Sequence, residues 1–287
     1  MNTIAELIKS AEEKNTTISQ IILNETIEKD EISKEEILKR MSESFLVMEE
    51  SIEKGLEKDI KSLSGLTGGN AYLMNNSTSN FSGSFTKDII SYALAVTEVN
   101  ACMGKIVAAP TAGSCGILPA CLCVLKKHNN IPNKKIIMSL LNASGIGMVI
   151  AKNASISGAE GGCQAECGSA SAMAASAIVE ILGGTPEMCG HAIAQAIKSQ
   201  MGLVCDPVAG LVEEPCIVRN VSSSIIAVTS AEMSLAGIKS IIPADEVISA
   251  MDSVGKQIPP ALRETSCGGL AVTKTGLEIK NRLYSHS

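Results

Sequence analysis

Residues Gln164–Leu182, QAECGSASAMAASAIVEIL, contain six alanines and end at Gly183-Gly184. Alanine is the strongest helix former, and this stretch lacks the polar–apolar alternation of a half-exposed strand. It therefore predicts a helix that packs closely inside the protein. Thr185-Pro186-Glu187 follows as an N-terminal cap, which predicts a next helix running to about Met201.

The composition of the whole chain also favours helices. Aromatic residues make up 2 % of the 287 residues, there is no tryptophan, and 45 % are hydrophobic. Such a core consists of small aliphatic side chains, which favours closely packed helices over aromatic-rich strands. We expect an all-α fold, a compact bundle of mostly buried Ala/Gly-rich helices. Its further helices are predicted at Asp88–Met103, Pro119–His128, Val221–Ala236 and Ala244–Gly255.

Two long uncharged runs raise the alternative of a membrane protein. Ile106–Leu125 has 20 uncharged residues and Ile136–Ala151 has 16. The first is long enough to span a bilayer, but Pro110 and Pro119 interrupt it. We interpret both runs as helices buried on all sides, with a Gly104–Gly113 loop in the first, and expect no membrane association.

The charges are concentrated at the N-terminal end. Residues 1–61 hold 9 basic and 15 acidic side chains, which accounts for the whole net charge of −6. Ile4, Leu7 and Ile8 recur at helical spacing, and Ser33-Lys34-Glu35-Glu36 predicts a capping box. We therefore divide the chain into a charged N-terminal helical segment, 1–61, packed on a main body, 62–287.

The charge and the N-terminal residues also bear on binding partners and on the cellular compartment. An acidic chain without a basic face argues against nucleic-acid binding. Met1–Ser10 carries Glu6 and Lys9 where a secretory signal would be apolar, so a cytoplasmic protein is expected. The ten cysteines are then interpreted as free thiols, packing residues or metal ligands, not disulfides.

Cysteine chemistry is the main candidate, because the chain has only three histidines, His128, His191 and His286. Cys163 and Cys167 lie at a predicted loop-to-helix junction, where thiolates are stabilised. Cys205 and Cys216 bracket a loop rich in helix breakers. Three cysteines on separate turns can hold a [4Fe–4S] cluster with one iron left open. Spacing leaves two alternatives open: Cys115/Cys121/Cys123, and a structural zinc or redox site at Cys163/Cys167.

Several segments resemble the α chain of iron–sulfur L-serine dehydratase, over about residues 5 to 280. In chain order they are SLSGLTGG (62–69), MGKIVAAPTAGS (103–114), SISGAE (155–160), GCQAE (162–166), the Cys205–Cys216 loop and PPALRET (259–265). The resemblance implies an all-helical catalytic domain in which Cys163, Cys205 and Cys216 ligate a [4Fe–4S] cluster. From the residues alone, the glycine-rich piece Ser64–Gly69 could cradle an anion through its backbone N–H groups or form tight turns.

The resemblance implies deamination of L-serine to pyruvate and ammonia, with the open iron binding the departing hydroxyl. A pyridoxal-phosphate dehydratase is the alternative enzyme class, and the scarcity of strands argues against it. Candidate substrate contacts are Thr111, Gly113, Ser155 and Ser157. The base that removes the α-proton is unassigned; its charged candidates, in an otherwise apolar body, are Lys105, Lys152, Glu160 and Arg263.

A second subunit is implied as well. Single-chain members of the family carry a Ser-Ser-Ser-His-Thr segment that contributes to the active site, whereas here isoleucine follows Ser222–Ser224. We therefore expect a hetero-oligomer in which a β chain completes the site, and little activity from the isolated chain. Cys267 is a candidate fourth, inhibitory ligand.

Overall fold

The fold consists almost entirely of helices. The computed structural model describes residues 1–78 and 81–285, of which 70 % are helical and none forms a β-strand. The predicted all-α class is therefore confirmed; His286 lies outside the described residues. Within those residues the thirteen α-helices are α1 (Ile4–Glu13), α2 (Ile18–Asp30), α3 (Lys34–Gly55), α4 (Asn70–Asn76), α5 (Gly83–Ala101), α6 (Ile117–Asn129), α7 (Asn133–Asn153), α8 (Gly158–Gly161), α9 (Ser169–Ile181), α10 (Pro186–Lys198), α11 (Cys216–Leu235), α12 (Ala244–Gln257) and α13 (Lys274–Tyr284).

Helix α9 is the centre of the bundle. Every residue from Ser169 to Val179 is buried, and α6, α7, α10 and α11 pack around it. Alanine and serine at these positions let the surrounding helices approach closely, so that burial of small side chains stabilises the core. The next helix begins as predicted, because the Thr185 hydroxyl accepts a hydrogen bond from the Met188 amide at 3.2 Å.

Several helix boundaries differ from the sequence prediction, and two of them lie near the predicted site residues. Helix α11 begins at Cys216, five residues before the predicted Val221. The run Ile106–Leu125 is helical from Ile117 onward, since Pro110 follows a cis peptide bond and Ala112–Ser114 forms a short 3-10 turn. The predicted loop over Gly104–Gly113 agrees with this, and the helix begins two residues before the predicted Pro119.

Helix α7 is long and apolar enough to cross a membrane, but 61 % of its most apolar window is buried against other parts of the chain. A core helix passes the same test of length and composition. Its Met148 side chain is exposed, so burial on all sides does not hold for this helix.

The N-terminal helices pack on the rest of the bundle. Helix α1 contacts α10 and α12, α2 contacts α7, and α3 contacts α5. Ser33 caps α3 by accepting a hydrogen bond from the Glu36 amide, but the Glu36 carboxylate binds Arg40 instead of closing the predicted capping box. The division at residue 61 stays a prediction.

Candidate active site

Cys163 lies at the start of a five-residue π-helix, Gln164–Gly168, which continues into α9. The turn before it needs glycine: Gly162 has a φ of +75°, and a Cβ there would lie 2.8 Å from the Leu203 carbonyl oxygen. The buried Gln164 side chain then fixes the turn by donating to the Met251 carbonyl and accepting from the Gly202 amide. A helix N-terminus stabilises a thiolate at this position.

Cys205 is held by backbone hydrogen bonds on both sides. Its amide donates to the Leu262 carbonyl at 2.8 Å, and its carbonyl accepts from the Glu264 amide at 2.7 Å. These two segments of the chain form an isolated parallel bridge between Cys205 and Arg263. This bridge brings the PPALRET segment against the cysteine loop and buries the Cys205 side chain.

Cys216 is the first residue of α11 and directly follows Pro215, whose preceding peptide bond is cis. Its side chain is buried, as are those of Cys163 and Cys205. The carbonyl of Glu213 accepts a hydrogen bond from the Ile217 amide at 2.9 Å, which closes the first turn of the helix around Cys216.

The three thiols come from three separate segments, and their charges affect one another's pKa. Burial and the charge of Cys163 raise the pKa of Cys205, and the same two causes raise the pKa of Cys216 to about 12. The pKa of Cys163 is instead lowered, chiefly by its hydrogen bond with Cys167. The Arg219 guanidinium lowers it further, while burial acts in the opposite direction. Cations and helix N-termini beside thiols favour the ionised form that binds metals.

This donor set fits an iron–sulfur cluster. Its members are three buried, unpaired thiols, with glycine at Gly158, where a Cβ would lie 3.0 Å from Cys205 Sγ. The thiolates of a [4Fe–4S] cluster bind separate irons and therefore stand further apart than the ligands of a single ion. No group of three or more His, Cys, Asp or Glu residues in 1–78 and 81–285 is arranged to hold a metal ion.

The structure also shows how the cysteines of the two alternative sets are placed. Cys163 and Cys167 lie 3.4 Å apart and share a hydrogen bond, without the further ligands of a zinc site among the described residues. Cys115, Cys121 and Cys123 are buried at and along α6, where Cys121 donates to the Ser224 carbonyl. Burial raises the pKa of Cys115 and of Cys121 to about 12.

Thr111 and Gly113, two of the predicted substrate contacts, lie against a carboxylate that the sequence analysis did not single out. The Thr111 hydroxyl donates to Glu166 Oε1 at 2.8 Å. A Cβ on Gly113 would lie 3.1 Å from the same oxygen, and one on Gly158 would lie 2.8 Å from Glu166 Oε2. Burial raises the pKa of Glu166. Its place in the GCQAE segment was the available signal.

Asn220 joins this loop to the cysteines. Its fully buried side chain donates to the carbonyls of Gly113, at 2.7 Å, and Cys216, at 2.9 Å, and accepts from the Gly116 amide, at 2.9 Å. All three bonds are to backbone groups, so one side chain fixes the Thr111–Gly116 turn relative to the start of α11. Nothing in the sequence analysis pointed to Asn220.

Of the other two predicted substrate contacts, Ser155 lies on an outer cleft, whereas Ser157 directly precedes Gly158, which lies against Glu166 and Cys205. Ser155 Oγ accepts from the Ser157 amide at 3.0 Å, and Ser157 precedes α8. Ser155 lines a cavity of about 330 Å³ together with Glu160 and Arg263, and none of Cys163, Cys205 and Cys216 lines it. The roles of Ser155 and Ser157 stay predictions.

The charged candidates for the base are also dispersed. Lys105, Lys152 and Glu160 are exposed, and Lys152 donates to the Met1 carbonyl. Arg263 is half-buried and donates to the Glu160 carbonyl at 3.2 Å, while its Nε is buried without a partner. The burial that suggested a catalytic role holds in part for Arg263 alone, because the other three side chains extend into solvent.

Cys267 lies in the exposed part of the segment after Arg263, where its thiol contacts the Thr265 carbonyl at 3.3 Å. Its proposed role as a fourth ligand stays a prediction.

Comparison with known proteins identifies relatives of this chain. Residues 13–271 match the family model described as serine dehydratase alpha chain. The chain is 48 % identical to the probable L-serine dehydratase alpha chain of Bacillus subtilis, over 98 % of this chain and 94 % of the relative. It is 46 % identical to the L-serine dehydratase alpha chain of Peptoniphilus asaccharolyticus, over 98 % and 97 %. With the longer L-serine dehydratase of Streptomyces coelicolor the identity is 39 %, over 93 % and 60 %.

Proposed function

Because this chain belongs to the serine dehydratase alpha chain family, we propose that it is the catalytic α chain of an enzyme that deaminates L-serine to pyruvate and ammonia. The observation that carries the proposal is the arrangement at Gly158, where an added Cβ would lie 3.0 Å from Cys205 Sγ and 2.8 Å from Oε2 of Glu166, which lies three residues after Cys163. Asn220 joins Cys216 to Gly113, which also lies against Glu166. A cytoplasmic location belongs to the same proposal.

We assign Cys163, Cys205 and Cys216 as the ligands of a [4Fe–4S] cluster. When bound, the cluster would supply an iron without a protein thiolate, a Lewis acid that makes the β-hydroxyl of serine a better leaving group. The protein's part is to hold three buried thiols in place and to exclude solvent around them, and the hydrogen bonds at Gln164, Cys205 and Asn220 do this.

Glu166 and its neighbours form the proposed substrate-binding side. Its carboxylate is aligned by the Thr111 hydroxyl and would attract the α-ammonium group of serine. Gly113 and Gly158 lie against the two carboxylate oxygens, at positions where a Cβ would crowd them. Ser155 and Ser157 remain proposed contacts to the substrate, and Lys105, Lys152, Glu160 and Arg263 remain proposed candidates for the proton-transfer step.

We expect the Glu166→Gln variant to raise KM for L-serine by roughly tenfold or more, since a hydrogen bond to a charged partner contributes about 1.5–3 kcal/mol. The variant keeps the size of the side chain and a group that can accept from Thr111. Steady-state kinetics of the assembled enzyme measures the effect, and the exposed Glu187→Gln serves as control. An unchanged KM in Glu166→Gln would exclude the ammonium contact.

A β chain is proposed as partner. The two relatives matched over nearly their whole length are each named as an alpha chain, whereas the Streptomyces coelicolor relative extends well beyond the matched region. A separate subunit would supply what that additional length contains, giving a hetero-oligomer.

The function is tested by measuring iron, sulfide and zinc in anaerobically purified protein, followed by pyruvate formation from L-serine with and without the β chain. We expect about four irons and four sulfides per chain, and turnover that depends on the β chain. Zinc in place of iron, or no metal at all, would overturn the cluster assignment. Full turnover by the isolated α chain would overturn the proposed need for a partner.

A further inference from the structure

The glycine-rich segment Ser62–Gly69 has no part in the proposed mechanism, yet it surrounds two buried carboxylates. Glu98 is fully buried and accepts hydrogen bonds from the Asn70 and Ala71 amides and, at 3.3 Å, the Thr67 hydroxyl. Glu213 is 6 % exposed and lies in the Cys205–Cys216 loop. The segment thus binds carboxylates of the protein itself, through its hydroxyls and the two amides that follow it, not through its own backbone N–H groups.

Glu213 is bound by two hydroxyls of this segment. Ser62 Oγ donates to Glu213 Oε2 at 2.7 Å, and Ser64 Oγ donates to Oε1 at 2.8 Å. Among the described residues Glu213 has no ion pair with a lysine, arginine or histidine. A buried carboxylate is costly unless it is hydrogen-bonded, so these two serines determine where Glu213 can lie.

The two hydroxyls are themselves held in position. The Leu66 amide donates to Ser64 Oγ at 3.0 Å, and the Ser62 amide donates to the Thr67 carbonyl at 3.0 Å. Because these two bonds lie within the segment itself, they fix the positions of the two serines that bind Glu213.

The main chain of Glu213 is hydrogen-bonded within the turn that contains Cys216, a proposed cluster ligand. Its carbonyl accepts from the Ile217 amide at 2.9 Å, in the turn that contains Cys216, and the neighbouring Glu214 carbonyl accepts from the Val208 amide at 2.9 Å. The side chain of Glu213 is therefore fixed on segment 62–64, and its main chain is fixed on the first turn of α11.

We propose that Ser62 and Ser64 are positioning residues for the iron–sulfur cluster, acting through Glu213 to hold the Cys216 thiol at the site. The inference rests on the proposed function. It assigns a task to a segment about 150 residues away in the chain. A ligand whose backbone is held rigid keeps its metal better than one on a loose loop, because supporting hydrogen bonds tune metal retention by 10–100-fold.

The test is the lifetime of the reconstituted cluster in air. The Ser62→Ala/Ser64→Ala variant of the full chain should lose its absorbance near about 400 nm and its iron roughly tenfold faster than wild type. Thr67→Val is the matched control, since it removes a hydroxyl of the same segment that binds Glu98 instead of Glu213. The single variant Ser62→Thr, which keeps the hydroxyl, should have the cluster lifetime of the wild type.

The outcomes separate the inference from the function on which it rests. A wild-type chain that takes up no cluster overturns the proposed function. A normal cluster in wild type with an equal lifetime in the double variant overturns the positioning role, as does equal loss in Thr67→Val. Should the double variant not fold, Ser64→Ala alone, which keeps the Ser62 bond, should show a smaller loss in the same direction. A wild-type lifetime in this single variant counts against the role.

Discussion

The Cys205→Ala variant, assembled with a β chain, is expected to form pyruvate from L-serine at less than about a thousandth of the wild-type rate. A Lewis acid supplies several kcal/mol of stabilisation to a departing hydroxide, and about 4 kcal/mol corresponds to a thousandfold in rate. Cys205 is the most informative of the three ligands. Cys163 has Cys167 at 3.4 Å, which could replace it, whereas the backbone bonds of Cys205 to Leu262 and Glu264 leave its position fixed.

The matched control is Cys189→Ala. Cys189 is also buried, in α10, and its thiol donates to the Ser176 carbonyl within the core. Its removal costs packing but touches none of the proposed ligands, so iron content and turnover should stay near wild type. Equal iron content in Cys205→Ala and Cys189→Ala would show that Cys205 is not a ligand.

The helices were predictable because each depends on local signals. The Ala-rich stretch gave α9, and Thr185-Pro186 gave the start of α10. The start of α11 was missed because Pro215 and its neighbours are typical of a loop. Proline is nevertheless tolerated at a helix N-terminus, where its missing amide has no partner to lose. Cys216 therefore belongs to the helix.

The site was predictable only where residues lie in recognisable motifs. The three cysteines and Thr111 came from such motifs, and Glu166 could have been chosen from one of them. The exposure of Lys105, Lys152 and Glu160 could not be inferred, since an apolar neighbourhood in sequence does not determine which way a side chain extends. Asn220 is further still from prediction, because its partners Gly113 and Gly116 are more than 100 residues away.

We expect the Asn220→Ala variant to lower the free energy of unfolding by roughly 2–4 kcal/mol. The Gly116 amide and the carbonyls of Gly113 and Cys216 would lose a partner, and each unsatisfied buried group costs about 1–3 kcal/mol before water relieves part of it. In a chain of this size the loss corresponds to a fall in Tm of roughly 4–10 °C, which thermal unfolding measures.

Asn24→Ala is the control, because Asn24 is exposed on α2 and accepts only from Gln20 in its own helix. It should change stability by less than about 0.5 kcal/mol. If Asn220 fixes the Thr111–Gly116 turn on the cysteine helix, Asn220→Ala should also raise KM for L-serine at temperatures where the variant is fully folded. A lowered Tm with an unchanged KM would mean that Asn220 stabilises the core without positioning the substrate side. If Asn220 positions the Thr111–Gly116 turn on α11, both a lowered Tm and a raised KM are required. The same hydrogen bonds that stabilise the fold join Gly113 to Cys216.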